Sequence, residues 1–391
     1  MLETLSIDNL KAGMYVVDVV ETKGSFKVKT KGWVKSEAAI RQLKAKGILT
    51  VAIDPSKTIE QAQTKEEPTE PKQKIKHTTF EHEIQRADRL YNEAKNLQQK
   101  AFEDIAAGRA IDVEPVKEIT KNCIDSIFRN QDALACMTRI REKDQYLMEH
   151  SLNVSILMSI FAKHLQLEPQ LIQDLATGAF LHDIGKVKIP DEILNKPGKL
   201  TPEEFEVIKT HATHSLEILQ NTQGLSAVSV QVAAEHHEKL NGTGYPKGLK
   251  GDEISQWGKM ITIVDIYDAM TADRVYKKGM TPAAAFKFMK NMVPDELDEK
   301  LLNSFIQCVG IHPVGTVVKL TSGKLAIVTK SNKLNPLKPR VKVFYHAKHQ
   351  HYTEPKDLDL AKIENDAIEA SVKPEQFKVD LNKFFREAFV M

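Results

Sequence analysis

The stretch LATGAFLHDIGK runs from Leu175 to Lys186. Small and apolar residues fill it until His182 and Asp183, and Gly185 and Lys186 follow closely. The apolar part has helical period and would bury one face. An imidazole and a carboxylate at the edge of such a core need hydrogen-bond partners or a metal, because burying them unpaired is costly. A carboxylate beside an imidazole can hold a borderline divalent metal, and a carboxylate can bridge two. Lys186 lies one helical turn on, near the same face, where its ammonium could meet a phosphate or a leaving oxygen.

The surroundings are helical too. VEPVKEITKNCIDSIF from Val113, LNVSILMSIFAKHL from Leu152, TPEEFEVIKTHATHSLEIL from Thr201 and KMITIVDIYDAMTADR from Lys259 each carry an apolar stripe at helical spacing. Thr201 is an N-cap, with Pro202 at the first helical position and acids in the first turn. An all-α domain is expected over 112–309. Before it, residues 1–54 predict a small α+β unit: a strand in MYVVDVV from Met14, a helix in SEAAIRQLKAKG from Ser36, and a strand in ILTVAID from Ile48. Residues 55–79 have the charge and proline of a linker. Residues 80–111 predict a connector helix. Its stripe of Ile84, Ala87, Tyr91, Ala94, Ala101 and Ile105 is broken by Gln98. That stripe fits packing on its own domain, or a homodimer seam over 80–108. From 310 to 391 the period becomes alternating, with a hairpin turning at Ser322-Gly323, a strand in PRVKVFYHA and a last helix over 374–389. The expected fold class is multi-domain and mainly α, with a small N-terminal α+β unit and a C-terminal segment rich in β-hairpin.

The 391 residues hold 55 Lys and Arg against 53 Asp and Glu, a net charge of +2. That balance argues against a nucleic-acid polymer or a membrane as partner. Cys123, Cys136 and Cys308 have neither disulfide nor metal spacing. The N-terminus lacks the pattern of a signal peptide, and SILMSIFA is too short to span a bilayer. A cytoplasmic setting is expected.

Seven of the thirteen histidines lie between His150 and His237. His211 and His214 sit one turn apart on a helix, as do Asp265 and Asp268, so neither pair is assumed to act together. An acid inside an apolar helix is either paired or a ligand. HHEKLNGTGYP, from His236 to Pro246, sets two imidazoles side by side before a sharp break rich in glycine.

The ordered set resembles the HD-GYP family of phosphodiesterases: His150 in EHSLNVS, HDIGK, His211 in KTHATHS, HHEKLNGTGYPKGLKGDEI, then DIYDAMTADRVYKK. The resemblance implies an HD-type helical bundle holding two divalent metals, iron or manganese first, with zinc, nickel or cobalt as alternatives. By similarity, His150, His182, Asp183 and Asp265 would surround one metal. Asp183 would bridge to a second, completed by His211, His236 and His237. The implied reaction is hydrolysis of cyclic di-GMP by a metal-bridging hydroxide, through linear pGpG to GMP. Lys186 would stabilise phosphoryl charge, while Tyr245, Arg274 and Lys277 would bind substrate. A 3',3'-cyclic GMP-AMP phosphodiesterase, or a non-catalytic cyclic-dinucleotide receptor, is the alternative. Tyr146 stands where some members carry a glutamate for a third metal, so two metals are expected. Asn241 and Ser215 replace a family aspartate and glycine.

Overall fold

The computed structural model describes residues 2–11, 13–22, 32–34, 40, 43–44, 47–57, 77–139, 146–273, 278–332, 334–377 and 379–385. The chain divides into two compact units, residues 1–74 and 75–391.

The smaller unit is an antiparallel sheet of β1 (Glu3–Ser6), β2 (Tyr15–Thr22), β3 (Gly32–Trp33) and β4 (Ile48–Ile53), in the order β1-β4-β2-β3. Val16, Ile48 and Val51 are buried in its core. The two strands expected here are β2 and β4. The helix expected from Ser36 falls largely outside the described residues.

The larger unit begins with α1 (Phe80–Ala106) and α2 (Val113–Met137). Asp112 caps α2 by accepting the Glu114 backbone N–H. Helical angles fail at Asn130, whose side chain donates to the Thr78 carbonyl at 2.9 Å. Asn130 Oδ1 accepts the Asp132 N–H at 3.1 Å, capping the helix that resumes after the break. Ile84, Ala87 and Ala94 of α1 are wholly buried. The Tyr91 hydroxyl donates to Asn153 of α3 (Tyr146–His164) at 2.8 Å. The α1 stripe therefore packs against helices of its own chain.

The bundle continues with α4 (Pro169–Leu181), a 3-10 turn (Ile184–Lys188), the short α5 (Asp191–Leu194) and α6 (Pro202–Gln220). After these come α7 (Ala227–Glu235), α8 (Gln256–Thr271), α9 (Pro282–Lys290) and α10 (Glu299–Val309). Thr201 caps α6 within a full capping box with Glu204.

A second antiparallel sheet follows: β5 (Val317–Leu320), β6 (Lys324–Lys330), β7 (Arg340–His346), β8 (His351–Asp359) and β9 (Ile368–Ser371). Its order is β8-β7-β6-β5-β9. The hairpin turns at Ser322-Gly323, where Gly323 has φ 75°. Strand β8 escapes sequence reading because it is a mostly exposed edge containing Pro355, with no apolar alternation. Of the terminal helix expected over 374–389, the described residues form a 3-10 turn (Pro374–Phe377) and α11 (Leu381–Phe385), and positions 378 and 386–389 fall outside the described residues. Phe384 of α11 stacks on Phe344 of β7. No helix among the described residues is long and apolar enough to cross a membrane.

Glu83, 1% exposed, ties the start of α1 to the α2 kink. It accepts Arg129 Nη2 at 2.8 Å, Ser126 Oγ at 2.8 Å and Thr78 Oγ1 at 3.0 Å. Burial pushes its carboxyl up, but Arg129 and the hydroxyls outweigh that and hold it below the usual value. Removing one partner of a buried pair strands the other charge. Glu83→Ala is expected to cost ~3 kcal/mol, read as a lower urea midpoint for the larger unit. Because the folded pKa is depressed, the contribution is present above the unfolded pKa and is lost as pH falls through the folded value.

Candidate metal centre

Five helices and one turn deliver the predicted ligands to one place. His150 lies on α3, His211 on α6 and Asp265 on α8. His182 and His236 are the first residues past α4 and α7. Asp183 opens the 3-10 turn. That turn lies directly on α6. A Cβ added to Gly185 would fall 2.2 Å from the His211 carbonyl oxygen and 2.4 Å from the Ser215 nitrogen. No larger residue fits there. The Gly185 N–H also donates to Ser215 Oγ at 2.8 Å, so the serine that replaces the family glycine has a local task.

The imidazoles are fixed in one tautomer. Nδ1 of His182, His211 and His236 faces the carbonyl three residues back, on Ala179, Ile208 and Ala233, at 2.7, 2.5 and 2.6 Å. A carbonyl only accepts, so each Nδ1 carries the proton and each neutral ring keeps its Nε2 lone pair. His150 Nδ1 meets Asp268 Oδ2 at 2.8 Å, the outer-shell carboxylate that commonly orients a metal-binding histidine. Sequence reading left Asp268 as paired or ligating; it is paired.

The Nε2 atoms converge on Asp183, which is 1% exposed. Asp183 Oδ2 lies 3.3 Å from His182 Nε2 and 3.7 Å from His150 Nε2. Oδ1 faces the other way, 3.4 Å from His211 Nε2 and 3.8 Å from His236 Nε2. Asp265 repeats the pattern: Oδ1 is 2.9 Å from His150 Nε2, and Oδ2 is 3.6 Å from His237 Nδ1. Two groups have all their ligand atoms within 4.8 Å: His150, His182 and Asp183, and His211, His236 and His237. Asp183 and Asp265 each face both.

Cations fit this arrangement. His182 Nε2 and Asp183 Oδ1 are buried without a hydrogen-bond partner. The Nε2 atoms of His211 and His236 approach to 3.2 Å. With both Nδ1 atoms protonated, two lone pairs face each other across that gap, which favours a positive charge between them. Burial and the neighbouring imidazoles hold His236 well below its usual pKa. Burial brings His237 down to about 3. Burial opposes ionising Asp183, yet His182 and Lys186 hold its carboxyl far below the normal range. Lys186 Nζ is 2.5 Å from Asp183 Oδ2.

The break after His237 is tied down from behind. The carboxylate of Glu238 accepts the backbone N–H groups of Lys247 and Leu249 at 2.8 and 2.9 Å. A Cβ on Gly244 would fall 2.4 Å from the Lys239 nitrogen, so the loop folds flat against its own start. The Tyr245 ring is thereby set 4.5 Å from the His237 ring and 6.2 Å from that of His211. Asn241 accepts the N–H and hydroxyl of Thr243, a local turn at an exposed position.

Sequence reading passed over two features. One is the clamp by Glu238, whose only signal is its place after the paired histidines. The other is Lys209, two residues before His211. Its ammonium lies 5.9 Å from the Tyr245 ring centre and 5.1 Å from that of the exposed Phe205. His214 lies 3.6 Å from Glu217 at the surface, away from the cluster. Arg274 and Lys277 fall outside the described residues, as does the side chain of Tyr146.

Residues 134–301 match the HD domain, and residues 317–380 match a KOW domain associated with HD domains. Residues 2–116 match a domain of unknown function. A cyclic di-GMP phosphodiesterase of Pseudomonas aeruginosa is 34% identical over 358 residues, 89% of this chain and 86% of that one. A cyclic di-GMP phosphodiesterase of Thermotoga maritima is 32% identical over 184 residues, 47% of this chain and 50% of that one. A 3'3'-cGAMP-specific phosphodiesterase of Vibrio cholerae is 34% identical over 171 residues, 44% of this chain and 37% of that one. The chain is thus a metal-dependent phosphohydrolase of the HD class. Within that class it belongs to the HD-GYP family of phosphodiesterases.

Without metal, burial pulls His150 down, but its hydrogen bonds to Asp265 and Asp268 win and raise it to about 9. Its Nε2 proton must then leave when a cation arrives. The affinity of metal-stripped protein for Mn2+ should rise as pH increases from 7 toward 9, because the competing proton is progressively lost. Asp268→Asn should move this dependence to lower pH, since it removes a charge that favours the protonated ring. Chelator competition across pH measures both effects.

Proposed function

We propose that this enzyme hydrolyses cyclic di-GMP, through linear pGpG to GMP, using two divalent ions held around Asp183. The observation that carries this reading is the two-sided Asp183 carboxylate, with one oxygen toward His150 and His182 and the other toward His211 and His236. Asp265 would complete the first ion's ligands and His237 the second's. The donors suit iron or manganese, with zinc, nickel and cobalt also compatible. When bound, two such ions lower the pKa of water and stabilise both the attacking and the leaving oxygen of a phosphodiester.

The chain's own groups supply the rest. Lys186 offers an ammonium beside Asp183, where negative charge would build on the phosphoryl oxygens. Tyr245, packed on His237, presents a flat face to a base or ribose. Burial and the charges of Asp265 and Asp183 raise its phenol well above the ordinary value, so it stays protonated and can donate. Lys209 is a further cation at the same rim. Arg274 and Lys277 are assigned to the guanine and phosphate groups by family resemblance. Three free cysteines support a cytoplasmic setting.

A second reading keeps the chemistry and changes one base. The Vibrio cholerae relative specific for 3'3'-cGAMP favours it. Incubation of metal-loaded protein with each dinucleotide, followed by chromatography of the products, separates the two. GMP formed only from cyclic di-GMP supports the first reading. Faster turnover of cyclic GMP-AMP supports the second, and no turnover of either sinks both.

Asp183→Ala is expected to remove both ions, since one carboxylate serves each. Elemental analysis showing full occupancy would overturn the bridging role. Lys209→Gln is expected to raise KM for cyclic di-GMP ~10-fold, the effect of losing ~1.4 kcal/mol of charged contact. Hydrolysis of bis(p-nitrophenyl) phosphate, which lacks the ribose and guanine of the dinucleotide, should change less.

A further inference from the structure

Three histidines outside the catalytic centre stand together on the second sheet, in YHAKHQHY from Tyr345 to Tyr352. His346 ends β7 and His351 begins β8, and the two are register partners. Directly opposed residues point to the same sheet face with Cβ atoms ~5 Å apart. The chain reverses between them, and Gln350 takes a positive φ of 52° in doing so. His349, in that reversal, is folded back toward both. Its ring centre lies 4.4 Å from His346 and 6.1 Å from His351, and the other two rings are 5.9 Å apart.

These spacings suit one small cation. A zinc–nitrogen bond of ~2.0–2.1 Å places an imidazole centre ~3.2 Å from the metal, so two rings on a tetrahedral ion sit ~5 Å apart. The observed values bracket that distance. His346 Nδ1 is buried and lacks a hydrogen-bond partner, which leaves a polar atom unanswered beside the other two rings. The His346 and His351 rings lie near-parallel, 12° apart, so binding would require the exposed side chains of His349 and His351 to turn toward His346. Burial and the two neighbouring imidazoles, helped by Lys324 and Lys348, lower the proton affinity of His346, leaving a lone pair available at neutral pH. A donor set of imidazoles alone favours a borderline transition metal over calcium or magnesium.

We propose that His346, His349 and His351 form a second metal site, at the tip of the β7–β8 hairpin, for a borderline dication such as Zn2+ or Cu2+. The site is independent of the phosphodiesterase centre and does not rest on the substrate assigned above.

The test uses the full-length, metal-loaded enzyme and the double variant His349→Ala/His351→Ala. Both substituted residues are exposed, so folding and phosphodiester hydrolysis should persist. Zn2+ is titrated into each against a chromophoric chelator. The parent is expected to take up one more equivalent than the variant. Cu2+ added to each is followed by electron paramagnetic resonance, and the difference spectrum should carry splitting from three nitrogen ligands. Equal zinc uptake by the two proteins overturns the site. A difference spectrum with fewer than three nitrogens overturns the three-histidine assignment.

Discussion

A single buried carboxylate organises this molecule. Asp183 sits at the junction of α4, α6 and α7 with almost no access to water. An ionised group in such a place is tolerable only if its surroundings are positive or become so. Lys186 covers one oxygen, and four imidazoles surround the pair. The three whose Nδ1 is held by a backbone carbonyl, His182, His211 and His236, do not answer that charge while neutral, because their lone pairs also point inward. The cluster is therefore poised for cations, and a structural ion pair alone would leave it frustrated.

Much of this was written in local sequence. Helical period located α2, α3, α4, α6 and α8, and the Thr201 cap marked the start of α6 to the residue. The family resemblance of the ordered histidines and aspartates implied the imidazoles that now surround Asp183. Helical period and capping are legible because each depends on neighbours within a turn or two. What local sequence did not carry depends on contacts between distant segments. At the α2 kink, Asn130 bonds to Thr78, 52 residues away. The partner of His150 is Asp268, 118 residues on. Strand β8 is held by β7 along a polar edge, with no pattern of its own.

The paired histidines and the loop behind them also answer a question of division of labour. His236 faces inward and is wholly buried, whereas His237 is partly exposed and carries Tyr245 against its ring. One imidazole belongs to the interior and its neighbour to the wall of the cleft. Glu238 then anchors the wall with two backbone bonds. Three consecutive residues thus serve interior, surface and scaffold in turn, which explains why the chain must break so sharply after them.

The seat of Gly185 on α6 has a consequence for how such a centre can diversify. The separation between the turn bearing Asp183 and the helix bearing His211 is set where the Gly185 main chain meets the main chain of His211 and Ser215. Side chains can be exchanged by mutation, but the thickness of a peptide backbone cannot. The interval between the two halves of the centre is therefore a fixed gauge. Side chains beyond that contact, such as Phe205 and Lys209, can change without altering the distance across the heart of the site.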